Sequence, residues 1–327
     1  PSLCAVESDV SKVSIGLSHG DEDVVKENKI QALYPPFSLE HGSSCARIKP
    51  KFFHWTNDEH YIQMFIDNGM MMAVTASTEG AVVQNIKRKE NTYRFGWMCE
   101  SRAIVPELYN ALKKTPELFF EHFDAIFTCD DELLDLDDRF RFALSGSNLP
   151  WTPLDKFGIH EKTKVCSLLA SSKLMTEGHK MRHQTAEKLK NDIDIFGGVA
   201  GSKKVGTDGV ASSNHPPKEE ALRDYMFSIT IENDAYNNYF TEKITDCFAN
   251  GTIPVYWGSP NIGEYFNEDG IILLTEDFDI NSLTKELYDS KMDTVKENYE
   301  RVCKLKMSDD ILWDEVSKII IRTEMEK

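Results

Sequence analysis

The chain lacks any long apolar run, and this absence excludes a membrane-spanning helix as far as the sequence can show. The longest apolar stretch, around residues 70–74, is far shorter than the roughly 20 residues needed to cross a bilayer. The N-terminus also lacks a charged region followed by an apolar one, which is the pattern of a secretory signal peptide. We therefore expect neither a transmembrane segment nor a leader.

Closely spaced cysteines are also missing. The seven cysteines are each separated by 30 or more residues, so there is no CxxC pair of the kind found in zinc and redox sites. An odd number of dispersed cysteines is typical of reduced thiols. The sequence thus predicts a cytoplasmic protein without a structural metal.

Positive charge is scarce. The chain has 37 Lys and Arg against 54 Asp and Glu, a formal net charge of −17. Nucleic-acid-binding proteins neutralise phosphates with a broad basic surface. We expect no nucleic-acid partner, and any phosphate group that binds has to be held by a few local cations.

What is present indicates a folded protein of two α/β domains. The 327 residues are 41% hydrophobic and 28% charged, and short apolar runs alternate with amphipathic stretches in both halves. A turn-rich segment over 148–158 lies between the halves, and 201–217 has the composition of a mobile surface loop.

We predict an N-terminal, acceptor-side domain over 1–160 and a C-terminal donor domain over 161–327, with the last helix, over 308–327, packing back on the first domain. The predicted strands are 13–17, 52–55, 70–74, 95–98, 125–128 and 140–144 in the first half, and 165–169, 193–196, 227–231, 252–257 and 270–274 in the second.

The segment Phe227–Tyr265 is the most informative. Its order of strand, polar loop, helix, strand and turn predicts a βαβ unit, with the helix ending at Asn250-Gly251. In parallel α/β sheets, ligands bind outside the carboxyl ends of the strands. The polar loop 232–240 is therefore the place where we expect a ligand.

Two cations lie near helix N-termini in this half. Lys243 falls in the first turn of the βαβ helix, and Arg182 falls near the start of a predicted helix over 178–189. A cation is disfavoured by the helix dipole at that end, but a helix N-terminus with a cation suits an anion. Either residue alone is more often a solvated surface side chain than a diphosphate ligand, and only the combination with Asn233, Tyr239 and Glu242 favours a ligand site.

The run FSITIENDAYNNYFTEKI followed by GTIPVYWGSP resembles the signature of the glycosyltransferase family 10 fucosyltransferases. This resemblance implies the GT-B arrangement, two facing Rossmann-like domains with parallel sheets, and inverting transfer of fucose from GDP-fucose to a glycan acceptor without a metal or other cofactor. It also implies that Arg182 and Lys243 contact the donor diphosphate, and that Asn233, Tyr239 and Glu242 line the donor pocket. The chain departs from the family pattern at Asp234 and at the Asn-Asn pair before Tyr239.

Inverting transfer to a hydroxyl needs a general base. By resemblance the catalytic base is Glu100, which follows an apolar strand of the first domain, although the family's usual Gly-Glu-Asn context is here Cys-Glu-Ser. A glutamate flanking a strand end is the plainer alternative. Arg102 could pair with Glu100 and lower its pKa, or could bind acceptor sugar. Trp55 and Trp97 are further candidates to face the acceptor.

Other signals are weaker. Asp135-Leu136-Asp137 has the form of a DxD metal site, but it lies in a helix-like acidic run where solvated acids are expected. Residues 197–203 lack the spacing of a P-loop. Two alternatives stay open: the same scaffold acting on another nucleotide sugar such as UDP-xylose, and a non-catalytic protein that binds glycans or nucleotides.

Overall fold

The structure is a computed structural model, and it describes a little under half of the chain's first half and most of its second. The predicted strands 13–17 and 70–74, most of the loop 201–217 and residue 99 lie outside the described residues. The described ranges are 31–33, 54–56, 64–67, 93–98, 100–121, 123–145, 148–203, 218–306, 311–312, 314–316, 318–319 and 322.

A four-stranded parallel sheet forms what we call the first unit. Its strands run in the order β3-β4-β5-β6, and a separate pair of parallel strands, β1 and β2, precedes it in the chain. The strands are β1 (Gln31–Leu33), β2 (His54–Thr56), β3 (Met64–Asp67), β4 (Tyr93–Trp97), β5 (Ala125–Thr128) and β6 (Phe140–Phe142). The helices are α1 (Pro106–Lys114), α2 (Pro116–Phe120) and α3 (Asp131–Leu134).

Helix α1 packs the core of the first unit. Pro106 occupies its first turn, where the missing N–H is not needed, and its apolar face is buried through Leu108, Tyr109 and Leu112. These side chains belong to one apolar cluster with Ile126 of β5. The cluster covers one face of the sheet and leaves the loops at the carboxyl ends of β4 and β5 free to carry polar residues.

A five-stranded parallel sheet forms the second unit, in the order β11-β10-β9-β7-β8. The central strand β9 is buried at all seven of its residues, as expected for a strand covered on both faces. The strands are β7 (Lys164–Ala170), β8 (Asp194–Gly197), β9 (Tyr225–Ile231), β10 (Ile253–Trp257) and β11 (Ile272–Leu273). The helices are α4 (Glu177–Lys188), α5 (Glu242–Ala249), α6 (Lys285–Ser290) and α7 (Met292–Cys303).

The predicted α/β class with parallel sheets is confirmed, and two such units in one chain are what the predicted GT-B arrangement requires. The strand predicted over 125–128 matches β5, and the helix predicted over 178–189 differs from α4 by one residue at each end.

The domain boundary near residue 160 and the packing of the last helix stay predictions. Within the predicted last helix, residues 311–312, 314–316, 318–319 and 322 are helical. No helix within the described ranges is long and apolar enough to cross a membrane.

Candidate functional site

The site lies where β7 and β9 end. These strands are neighbours in the sheet, but β7 leads into β8 on one side while β9 pairs with β10 on the other. The loops that follow them therefore diverge and leave a crevice at the carboxyl edge, which is the usual ligand position in parallel α/β sheets. The loop after β7 enters α4, and the loop after β9, residues 232–240, enters α5.

Helix α4 begins very close to the end of β9. Thr176 caps it by accepting a hydrogen bond from the amide of His179 at 3.2 Å, and the Thr176 hydroxyl also bonds the His179 Nδ1 at 2.8 Å. A side chain at Gly178 would overlap the carbonyl oxygen of Glu232, so only glycine allows this approach. The helix N-terminus is thereby aimed into the crevice.

Arg182, one turn further along α4, is held at the bottom of the crevice. It is 4% exposed, and its Nε donates to the carbonyl of Ile231 at 2.8 Å while its Nη2 donates to Oδ1 of Asn233 at 2.7 Å. Burial lowers the pKa of Arg182, and the nearby carboxylates of Glu232 and Glu242 oppose that effect. The structure thus brings two of the predicted donor residues, Arg182 and Asn233, into direct contact.

Lys243 lies on the other wall, in the first turn of α5. Its Nζ donates to the Thr241 hydroxyl at 2.8 Å and lies 3.2 Å from Oε2 of Glu232 and 3.5 Å from Oε1 of Glu242. Its side chain is 23% exposed, so the ammonium can still reach a ligand. Lys243 and Glu242, both predicted donor residues, are therefore paired with each other.

Glu232 organises this wall, and it was not among the predicted site residues. It is fully buried, and its two carboxylate oxygens accept from the amide and the hydroxyl of Thr241, at 2.9 and 2.7 Å. Because Thr241 caps α5, Glu232 ties the end of β9 to the start of that helix. Its position directly after a strand, beside Asn233, was the available sequence signal.

A second group of buried charges contacts α5. Lys218 is 7% exposed, and its Nζ lies 2.5 Å from Oδ2 of Asp246, 3.8 Å from Oε1 of Glu242 and 4.7 Å from the centre of the Trp151 ring. Desolvation acts to raise the pKa of Glu242, but the charges of Lys243 and Lys218 outweigh it and lower that pKa. Glu242 is therefore an ionised carboxylate between two cations, and no sequence pattern pointed to Lys218.

The crevice collects positive charge. Desolvation first, and then the charges of Arg182, Lys173 and Lys243, together lower the pKa of His179 to about 4. Lys173 lies in the loop after β7, and like His179 it was not predicted. Three cations around one helix N-terminus form a site suited to a strongly anionic group.

Glu100 faces this cluster from the first unit. Desolvation raises the pKa of its carboxyl above the usual glutamate value, while the nearby charges of Lys243 and Lys173 oppose the rise. Tyr239 is buried, and its pKa is raised well above 10.0 by desolvation and then by the charges of Glu100 and Glu232. The predicted base and the five predicted donor residues are thus brought into one neighbourhood.

Two of the expectations about neighbouring residues are wrong. Arg102 does not pair with Glu100; its guanidinium lies 3.2 Å from Asp130 and 2.7 Å from Glu132, because these acids follow β5 on the adjacent strand. Trp97 does not face an acceptor, since it is fully buried and its Nε1 donates to the carbonyl of Leu144 at 3.1 Å. The side chain of Trp55 lies outside the described part of the chain.

The DxD-like triplet has a local partner. Asp137 accepts from the backbone amide and from the Nε of Arg139, at 2.8 and 2.9 Å. Among the described residues, no group of three or more His, Cys, Asp or Glu side chains is arranged to hold a metal ion.

Comparison with known proteins defines the class of this site. Residues 159–313 match the family model described as "Glycosyltransferase family 10 (fucosyltransferase) C-term". The match covers a little under half of the chain, and over these residues it confirms the resemblance to family 10 fucosyltransferases that the sequence predicts.

The relatives are similar over shorter stretches. The chain is 42% identical over 55 residues to the alpha-(1,3)-fucosyltransferase FucT of Helicobacter pylori, which is 17% of this chain and 12% of that protein. It is 35% identical over 127 residues to the alpha-(1,3)-fucosyltransferase B of Drosophila melanogaster, 38% of this chain and 28% of that protein. The matched segments thus span less than a third of these relatives. Among solved structures, an alpha1,3-fucosyltransferase crystallised with GDP is 14% identical with a TM-score of 0.45, over 86% of this chain and 92% of that one.

Proposed function

We propose that the protein transfers fucose from GDP-fucose to a hydroxyl of an acceptor glycan, with inversion at the anomeric carbon and without a metal. The observation that carries this proposal is the group of three cations, Lys173, Arg182 and Lys243, around the N-terminus of α4 and opposite Glu100. The family match and the names of the relatives support fucose as the sugar. The cytoplasmic location expected from the sequence stays a prediction.

The leaving group is the first requirement of the reaction. As the bond to the anomeric carbon breaks, negative charge grows on the diphosphate. Arg182 and Lys243, with the helix N-terminus that Thr176 caps, are placed to stabilise that charge. Lys243 is paired with Glu232 and Glu242, and these pairs fix the position of its ammonium group at the crevice.

The base is the second requirement. A single-displacement reaction needs one group to take the proton from the attacking hydroxyl on the side opposite the leaving diphosphate. Glu100 comes from the other unit, and desolvation raises its pKa, which makes the carboxylate a stronger proton acceptor. We assign it the role of general base, and we assign Asn233, Tyr239 and Glu242 to the donor pocket.

The first test of this proposal is donor binding by calorimetric titration with GDP, GDP-fucose, UDP and UDP-xylose, each with and without EDTA. We expect GDP and GDP-fucose to bind, and EDTA to change neither affinity. Preference for UDP or UDP-xylose would overturn the donor assignment. Binding of none of the four would favour a non-catalytic protein.

Substitutions separate the roles of the residues. Arg182→Ala and Lys243→Ala remove charge-assisted hydrogen bonds to the diphosphate, so we expect each to weaken GDP binding by roughly 10- to 100-fold. Glu100→Gln should retain GDP-fucose binding and lower donor turnover by roughly 10²- to 10⁴-fold, because only the proton transfer is lost. Lys180→Ala, on the exposed side of α4, is the matched control and should change neither quantity. Unchanged GDP affinity in both cation variants would contradict the assignment.

A further inference from the structure

The loop 232–240 is held by residues of both units. From the first unit, the Arg102 guanidinium lies 4.2 Å from the centre of the Tyr236 ring. Tyr236 in turn stacks on Tyr239, with 4.9 Å between ring centres and 18° between the planes. Cys129, which follows β5, packs in the same apolar cluster as both tyrosines. The candidate donor residue Tyr239 is thus reached from the first unit through Tyr236.

The turn of this loop is made by Asn238, which has a positive φ of 65°. Asparagine tolerates this left-handed conformation better than most residues other than glycine. Three hydrogen bonds to other residues of the second unit hold it. Its backbone amide donates to Oδ1 of Asn261 at 2.8 Å, and its side-chain Oδ1 accepts from Nδ2 of Asn261 at 2.8 Å and from the Tyr265 hydroxyl at 2.7 Å. These bonds orient the side-chain Nδ2 of Asn238 away from the second unit.

That Nδ2 points to Asp131, the first residue of α3 in the first unit. The Asp131 Oδ1 accepts from Nδ2 of Asn238 at 3.1 Å, and its Oδ2 accepts from Nδ2 of Asn237 at 2.9 Å. One carboxylate therefore binds both members of the Asn-Asn pair that precedes Tyr239. Hydrogen bonds to a charged acceptor are stronger than neutral ones.

We propose that Asp131 is a positioning residue that holds the loop 232–240 in the conformation that binds the donor. Within the described part of the chain it pairs with none of the three crevice cations, and it acts through Asn237 and Asn238 on the adjacent Tyr239. Fixing the loop before binding means that less conformational entropy is lost when the ligand arrives. This inference rests on the function proposed above for its link to the donor, but the contact between the two units is independent of that function.

Two measurements on Asp131→Ala test the two parts of the inference. The first is hydrogen exchange of the amides of 234–240 in the ligand-free protein. Because two charge-assisted hydrogen bonds are lost, we expect exchange to be roughly 5- to 30-fold faster there. The second is calorimetric titration with GDP, where we expect an affinity reduced by up to the same factor and an unchanged thermal midpoint of the second unit.

Three further variants make the result specific. Asp131→Asn retains one acceptor oxygen and should fall between wild type and Asp131→Ala. Asn237→Ala loses its bond to the same carboxylate, so combining it with Asp131→Ala should add less than the sum of the two single effects. Asp138→Ala removes an exposed aspartate of the same unit and should change neither exchange nor GDP affinity.

Each outcome decides one part. Unchanged exchange over 234–240 in Asp131→Ala would show that the carboxylate does not hold the loop. Faster exchange with unchanged GDP affinity would show that the contact is structural only and would overturn the positioning role. Failure of the wild-type protein to bind GDP would count against the proposed function, and with it the link to the donor, while the exchange result would still decide whether Asp131 holds the loop.

Discussion

The charged side chains of the site are mostly buried, and opposite charges compensate one another. Glu232 is buried against Lys243, and Asp246 against Lys218. Removing one partner of such a pair leaves an uncompensated buried charge, which typically costs about 3–5 kcal/mol. His179 is the exception, because desolvation and then the positive charges of Arg182, Lys173 and Lys243 all act to lower its pKa.

His179 gives the folded state a pH dependence. Its pKa falls from 6.5 to about 4 on folding, by desolvation first and then by repulsion from Arg182, Lys173, Lys243 and His183. Below pH 6.5 the unfolded chain binds a proton that the folded chain does not bind until about pH 4. We therefore expect the free energy of unfolding to decrease as pH falls from about 6.5 to about 4.

His179→Gln is the matched variant for this prediction. Glutamine three residues after the cap Thr176 can complete a capping box, so the helix start is retained while the titrating group is removed. Urea unfolding at several pH values between 7 and 4 should show a smaller decrease in stability for His179→Gln than for the wild type. Equal slopes for the two proteins would contradict the assignment.

At the scale of elements, two helices and one strand make the crevice. Helices α4 and α5 both begin at threonine caps, Thr176 and Thr241, at the carboxyl edge of the second sheet. Their starting points are set by the end of β9, because Gly178 packs on the backbone of Glu232 and the Glu232 carboxylate binds Thr241. A small shift of α4 would therefore move Arg182 and His179 together.

Gly178→Ala tests how tightly α4 is placed. The added methyl would overlap the Glu232 carbonyl oxygen, so we expect a loss of about 3 kcal/mol in unfolding free energy and weaker GDP binding. Gly201→Ala is the comparison: Gly201 has a φ of +78° but no atom within 4 Å of the added Cβ, so only the backbone strain of about 1–2 kcal/mol applies. Denaturant titration and calorimetry of both variants measure the two quantities. A Gly178→Ala protein as stable as the wild type would show that α4 can shift freely.

At the scale of the whole molecule, residues 144–145 and 148–157 belong energetically to the second unit. The Ser145 hydroxyl donates to the carbonyl of Phe240 at 3.0 Å. The amide and the hydroxyl of Thr152 both donate to Oδ1 of Asp246, at 2.8 and 2.9 Å, and Leu144 packs in a cluster with Phe240. This segment precedes the boundary predicted near residue 160.

Two fragments test this statement. A fragment of residues 143–327 keeps these contacts, whereas one of residues 159–327 loses them and leaves Asp246 with fewer partners. We expect the shorter fragment to be less stable by about 4 kcal/mol or more, and to unfold at a temperature lower by about 10 °C. Thermal unfolding followed by circular dichroism measures the difference. Equal midpoints would mean that the segment contributes nothing to the second unit.

Much of the architecture could be predicted from the sequence alone. Strand and helix periods are local properties, so β5, β9 and α4 fall within one or two residues of their predicted bounds. The donor-side residues could also be named, because they lie in one short run around a βαβ unit. The burial and the charge pairing of these residues could not be predicted, because both depend on residues that are far apart in the chain.

Only the tertiary structure determined which charged and polar side chains pair with each other. Arg102 lies two residues from Glu100 but pairs with Asp130 and Glu132, because neighbouring parallel strands bring the ends of β4 and β5 together. Lys218 reaches Asp246, and Asp131 reaches Asn237 and Asn238, across 28 and more than 100 residues of sequence. The sequence thus determined the resemblance to the family, the α/β elements and a set of candidate side chains. The folded chain determined their partners, because the energy of a buried charge depends on which opposite charge lies within a few ångströms of it.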